Sequence, residues 1–361
     1  MNHLSKVTRA SNIVRPEVLE LAAYHVADAS GFIKLDAMEN PYQLPARMRG
    51  ELAQRLADTL ANRYPPPSAD ALRDKLRQVM QIPEGAEIML GNGSDELIDI
   101  ISVACARPGA KILSPWPSFV MYDLSARLAG TKFVALNLDH DFNIDVDMMV
   151  TAIRAHRPAV VWLSYPNNPT GNLFPVATIE AVLREAPGLV VVDEAYFAFA
   201  ESSFMPRLSE FPNLVVMRTL SKSGLAGIRL GYMAGHPEWM REFDKARPPY
   251  NVNVLTQTYA MFALEHIWIL DEQAERLKRE RARLHESLAA LPGVTVWPSA
   301  ANFLLFRVEN AQAVFERLKS RKVLVKFLGK MHPLLADCLR VTVSTPEENT
   351  LFLDALRASL V

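Results

Sequence analysis

With 361 residues, half of them apolar, the chain can bury a sizeable core and is long enough for two domains, or for one large domain with a satellite. Its 39 lysines and arginines against 40 aspartates and glutamates lack the positive excess of a nucleic-acid binder, which leaves small molecules as the expected partners. Cys105 and Cys338 have no C-x-x-C or histidine companion, no apolar run reaches about eighteen residues, and the N-terminus lacks a signal-like apolar stretch. No metal site, disulfide framework, membrane span or secretory signal is therefore expected, and the protein is read as cytoplasmic.

Residues 1–49 read as an irregular arm, with a short helix around 18–23, a strand-like Phe32-Ile33-Lys34-Leu35, and Glu39-Asn40-Pro41-Tyr42 before a proline-bounded turn. Helical spacing predicts a helix over 51–62, stopped by Asn62-Arg63-Tyr64-Pro65-Pro66-Pro67 because proline cannot donate to it and restricts the preceding residue. A second helix is predicted over 68–80. Strands are then predicted at 87–90, 111–113, 132–136, 159–163, 189–192 and 214–217, with helices at 94–106, 119–129, 147–156 and 176–185. Such alternation argues for an α/β fold, a mostly parallel sheet covered on both faces, and the expected large domain spans 50–255. Beyond it a charged helical stretch covers 256–291 with an interruption near His266. Strands at 302–307, 323–325 and 339–343, a helix at 311–320 and a last helix from Pro346 follow. This predicts a smaller α+β domain of 256–361 joined by the arm 1–49; the charged run 272–286 reads as a solvated helix face.

Polar motifs fall at strand ends, where open α/β folds place their chemistry. Gly91-Asn92-Gly93-Ser94-Asp95-Glu96 lies between a strand and a helix, so glycine can bring backbone close to a ligand and the helix N-terminus can offer free N–H groups to a phosphate. It matches neither the dinucleotide fingerprint nor a P-loop, and taken alone it is equally a glycine turn with Ser94 or Asp95 capping a helix. Asn167-Asn168-Pro169-Thr170-Gly171 consists of turn dipeptides, yet an amide held at a strand end is a good donor to a fixed oxygen. In Leu189-Val190-Val191-Val192-Asp193-Glu194-Ala195-Tyr196 an apolar strand ends in two carboxylates. Without a phosphate loop a magnesium role is disfavoured, whereas one acid can hold a proton on a heteroaromatic nitrogen.

That use needs a lysine on a neighbouring strand. Lys222, in Ser221-Lys222-Ser223-Gly224, comes about thirty residues later, one βαβ unit on. An isolated lysine is ordinarily a solvated surface group. Beside a phosphate and an arginine such as Arg229, in low dielectric, its amine is partly unprotonated and can condense with an aldehyde. Together these are the parts of a pyridoxal phosphate site.

With Met38-Glu39-Asn40-Pro41-Tyr42, Asn62-Arg63-Tyr64-Pro65 and Cys338-Leu339-Arg340-Val341-Thr342-Val343 added, the sequence resembles the fold type I pyridoxal-phosphate aminotransferases. Within them it is similar to the histidinol-phosphate aminotransferase family, from about Tyr24 to the C-terminus. The resemblance implies a homodimeric enzyme of histidine biosynthesis that uses pyridoxal 5'-phosphate. It would convert L-histidinol phosphate and 2-oxoglutarate to imidazole-acetol phosphate and glutamate.

By the same resemblance Lys222 would carry the cofactor and move the substrate proton, and Asp193 would pair with the pyridine nitrogen. Asn168 and Tyr196 would bond the phenolic oxygen. Ser94 and Asp95 by backbone, Ser221 by hydroxyl and Arg229 by its fork would hold the cofactor phosphate, with Phe119 on the ring face. Tyr64 would reach the neighbouring subunit's phosphate, Arg340 would grip the substrate's acidic group and Tyr24 would help cover it. Phe119 stands where the family commonly has tyrosine, which keeps stacking and loses a hydroxyl. Lys326 stands where arginine is frequent, which keeps charge and loses the bidentate fork. The segment from Lys222 to Arg229 is one residue shorter than in many relatives. The rival readings are an aromatic or broad-range aminotransferase, a phosphothreonine decarboxylase, or a non-catalytic cofactor-binding regulator, which would normally need a fused DNA-binding domain that is not expected here.

Overall fold

The computed structural model describes residues 9–23 and 28–360. In chain order its strands are β1 (Ile33–Lys34), β2 (Glu87–Asn92), β3 (Lys111–Trp116), β4 (Lys132–Asn137), β5 (Val160–Ser164), β6 (Leu189–Asp193), β7 (Leu214–Thr219), β8 (Leu230–Gly235), β9 (Val294–Val296), β10 (Phe303–Val308), β11 (Val323–Leu324), β12 (Lys326–Phe327) and β13 (Cys338–Thr342). Seven of them form one sheet in the order β2-β8-β7-β6-β5-β3-β4. Every residue of β5, β6 and β7 is buried, as their continuous apolar sequences require of strands covered on both faces. One face packs Leu97, Ile101, Tyr122, Trp162, Val191 and Met217; the other packs Ile179, Val182, Val190, Val216, Leu220 and Tyr232.

The sheet is parallel except at β8, which runs antiparallel to both β2 and β7. Between β7 and β8 stand only the short turns Ser221–Leu225 and Ala226–Ile228, too little chain for the crossover that a parallel neighbour would need. The chain therefore turns straight back past Lys222, and both strands present their loop ends at the same place.

A second, antiparallel sheet, β12-β13-β10-β9, has its own apolar core around Phe303, Phe306, Leu339, Val341, Leu288 and Phe352. The arm is tied to this part of the chain, since β1 pairs in parallel with β11, Ile33 opposite Val323. The long helical stretch divides at His266 into Val254–Glu265 and Ile267–Ala289.

Some expected elements are displaced. The helix expected at 51–62 is Ala46–Ala57, starting directly after Pro45 and running through Gly50, a residue that costs a helix only about 1 kcal/mol. The short helix expected at 18–23 is Pro16–Leu19. The strands β8, β9 and β12 and the helix Pro237–Asp244 were not expected. Within the charged run, Gln273 is buried and Arg281 donates to the carbonyls of Phe199 and Ala301, so that helix is not solvated all round. Cys105 and Cys338 are free, and burial raises both thiols, Cys105 to about 11. Among the described residues no helix is long and apolar enough to cross a membrane, and no cluster of acidic, histidine and cysteine side chains could hold a metal.

Candidate active site

The carboxyl ends of β5, β6 and β7, the N-terminus of the helix Ser94–Ala104, and the strands β12 and β13 converge on one cavity of about 460 Å³. Ser94, Asp95, Phe119, Asn168, Asp193, Tyr196, Ser221, Lys222, Arg229, Lys326 and Arg340 all line it. Two candidates do not join them. Tyr24 lies outside the described residues. Tyr64 is 81% exposed and stacks on Tyr250 with ring centroids 4.6 Å apart, away from this chain's cavity.

Lys222 follows β7 in a tight turn whose Gly224 has φ of 122°, a conformation open to glycine and strained for other residues. Its amine donates to the carbonyl oxygen of Ala37 at 3.0 Å. Burial, and after it the Arg340 guanidinium, lowers the amine to about 8. A measurable fraction is thus a free base near neutral pH.

Asp193 ends β6 and is 3% exposed. The Tyr122 hydroxyl donates to its Oδ2 at 2.6 Å and the Ala195 N–H to its Oδ1 at 3.1 Å. Burial nevertheless pushes the carboxyl up to about 7, these two hydrogen bonds opposing the shift. A cation placed in the cavity would favour its ionised form. Tyr122 was missed in the sequence, although it lies one helical turn beyond Phe119 and meets that ring edge-on at 5.6 Å. It also stacks on Trp162 at 4.8 Å, which fixes where its hydroxyl points.

Asn168 bridges the two sides of the cavity. Its Nδ2 donates to the Tyr196 hydroxyl at 3.1 Å, and its Oδ1 accepts from Arg340. Arg340 also donates to the Asp36 carbonyl at 3.0 Å and lies over the Phe303 ring. Lys326 is directly opposite Arg340 in the β12–β13 ladder, so the two cations share one side of the small sheet.

At the other end, Arg229 pairs with Asp95 at 3.2 Å beside the helix N-terminus. The backbone here leaves no room for side chains. A Cβ on Gly93 would lie 2.6 Å from Arg229 Nη2, and one on Gly231 would lie 2.6 Å from the Ser94 nitrogen. The Ser221 hydroxyl accepts from Thr219 Oγ1 at 2.9 Å, which turns its own proton toward other acceptors. A helix N-terminus, two serines and an arginine can bind a phosphate; Asp193 can bind a protonated ring nitrogen; Lys222 can bind an aldehyde. This donor set fits pyridoxal phosphate end for end.

The family model for aminotransferases of class I and II matches residues 30–356. The chain is 61% identical over 353 residues to histidinol-phosphate aminotransferase 1 of Ralstonia nicotianae, covering 96% of this chain and 94% of that protein. It is 60% identical over 353 residues to histidinol-phosphate aminotransferase 2 of Cupriavidus pinatubonensis, covering 96% of each. The solved histidinol-phosphate aminotransferase of Sinorhizobium meliloti, in complex with pyridoxal-5'-phosphate, superposes with a TM-score of 0.86 at 24% identity. That match covers 96% of this chain and 97% of that one, and it shows the shared fold, type I. The chain thus belongs to the class I and II aminotransferases, in the group of the histidinol-phosphate aminotransferases.

Proposed function

We propose that this enzyme transfers the amino group of L-histidinol phosphate to 2-oxoglutarate, with pyridoxal phosphate held on Lys222, as a step of histidine biosynthesis. The observation that carries the reading is a lysine, an acid and two cations around one cavity, in a chain 61% identical to an enzyme named for that substrate. These relatives do not favour the rival substrates.

Bound in the cavity, the cofactor would supply a conjugated electron sink that acidifies the Cα proton of an attached amine. The chain's own residues do the rest. The helix N-terminus at Ser94 and Asp95, the Ser221 hydroxyl and Arg229 hold the phosphate. Asp193 holds a proton on the pyridine nitrogen; Asn168 and Tyr196 donate to the phenolic oxygen; Phe119 covers a ring face. Lys222, with its amine lowered to about 8, takes the proton from the substrate Cα and returns it at the second carbon of the exchange. Arg340, with Lys326 beside it, binds the acidic end of each substrate in turn, a phosphate and then a carboxylate.

The exposed Tyr64, stacked on Tyr250, is assigned to the neighbouring subunit's phosphate site in a homodimer, and Tyr24 to the substrate cover. We also propose a division into 50–255 and 1–49 with 256–361, supported by the separate seven-stranded and four-stranded sheets, and a cytoplasmic location. Borohydride reduction in the presence of pyridoxal phosphate, followed by peptide mapping, tests the site: the label belongs on Lys222, and a label elsewhere overturns the assignment. Formation of glutamate from L-histidinol phosphate and 2-oxoglutarate tests the reaction, and no glutamate from this donor refutes it.

A further inference from the structure

Successive side chains of a strand point to opposite faces, so Asp193 and Glu194 part company at the end of β6. Asp193 enters the cavity, while Glu194 turns to the face that packs Val190, Val192, Val216 and Leu220. There it meets Arg218 of β7. Arg218 Nε donates to Glu194 Oε2 at 2.9 Å and Nη2 lies 2.8 Å from the same oxygen, with side chains only 8% and 1% exposed. Ser203 is shared: its hydroxyl donates to Glu194 Oε2 at 2.9 Å and accepts from Arg218 Nη2 at 2.8 Å. The Phe204 N–H donates to the other carboxylate oxygen. The guanidinium also lies over the Phe197 ring, 4.5 Å from its centroid.

A buried ion pair is a poor device for stability alone, because desolvation offsets most of its attraction and apolar residues of equal volume do as well. Its best attested use is to fix one arrangement among several. The contacts here are placed for that. Glu194 follows Asp193 directly, Phe197 follows Tyr196 directly, and Arg218 stands one helical-turn's length of chain before Lys222. Each tether therefore lies next to a residue of the cavity without touching the cavity itself.

We propose that Arg218 and Glu194 are positioning residues, whose buried pair fixes the strand ends and the loop that present Asp193, Tyr196 and Lys222 to the cavity. The inference rests on the roles proposed above for those three residues. The pair locks β6 to β7 beyond their last ladder bond, Glu194 N–H to the Met217 carbonyl, and clamps the segment 194–204 that carries Tyr196. Small changes in this lock alter how the acid, the phenol and the amine face one ring.

The test uses holoenzyme with Arg218→Met, which removes the pair at similar volume, Glu194→Gln, which removes charge and keeps an acceptor, and Arg218→Lys, which restores charge without the fork. Readouts are kcat and KM separately, the circular dichroism of the bound cofactor, and the thermal midpoint. Arg218→Met is expected to lower kcat at least tenfold with KM for the amino donor within about threefold, and to halve the cofactor's dichroism, with Arg218→Lys falling between it and wild type. Should Arg218→Met not fold, Glu194→Gln and Ser203→Ala carry the same comparison. Variants that lose only thermal stability, with kcat and dichroism as in wild type, overturn the proposal while leaving Lys222, Asp193 and Tyr196 in their roles. Wild-type protein whose borohydride label is not on Lys222 overturns both.

Discussion

Asp193→Asn separates what the site does for catalysis from what it does to stability. In the folded protein burial raises this carboxyl from 3.8 to about 7. A carboxyl with a raised folded-state value contributes stability that is fully present below its unfolded value and is lost as pH climbs through the folded one. The window is therefore from about 4 to about 7. Each unit within it is worth about 1.4 kcal/mol, so cofactor-free wild-type protein should lose roughly 2–3 kcal/mol between about pH 5 and about pH 8 through this group. Asparagine has no such proton and keeps an acceptor for Tyr122. Urea denaturation of the cofactor-free proteins at the two pH values should show Asp193→Asn gaining on wild type by about that amount at the higher pH. Added pyridoxal phosphate should reverse the order, because only the carboxylate gains from a protonated ring nitrogen. A stability difference that is the same at both pH values, or that favours wild type without cofactor, would refute the electrostatic reasoning about Asp193.

Tyr122→Phe removes the 2.6 Å hydrogen bond that holds Asp193 down, so the acid limb of cofactor affinity should move up by about one pH unit, read by titrating the cofactor's visible absorption. Lys326→Arg should supply the missing fork and lower KM for a phosphorylated donor about three- to tenfold, with KM for 2-oxoglutarate less affected, as steady-state kinetics would show. Gly93, at φ of 86°, tolerates no side chain without strain: Gly93→Ala puts a methyl 2.6 Å from Arg229 Nη2 and should weaken cofactor binding at least tenfold in equilibrium titration, and it should also lower the thermal midpoint of the cofactor-free protein.

Much of this site is legible in the sequence because its parts sit at strand ends, and buried parallel strands announce themselves as unbroken apolar runs such as Leu189-Val190-Val191-Val192. What escapes has physical reasons. β8 carries Gly231 and Gly235, and glycines read as loop; here they admit backbone and side chains that a Cβ would strike within 3 Å. Gly50 likewise read as a boundary, although the helix Ala46–Ala57 simply tolerates it. Tyr122 is invisible as a partner of Asp193 because 71 residues separate them and only the sheet order brings them together. Asp193 and Glu194 look equivalent side by side, and strand alternation alone decides which acid faces the cavity and which meets Arg218.

Single-turnover mixing reads the choice of amino donor. Holoenzyme is mixed separately with L-histidinol phosphate, phosphothreonine, phenylalanine and aspartate, and the loss of the bound cofactor's visible absorption is followed with time. L-histidinol phosphate is expected to react fastest. Faster reaction with any of the other three would contradict that choice of donor.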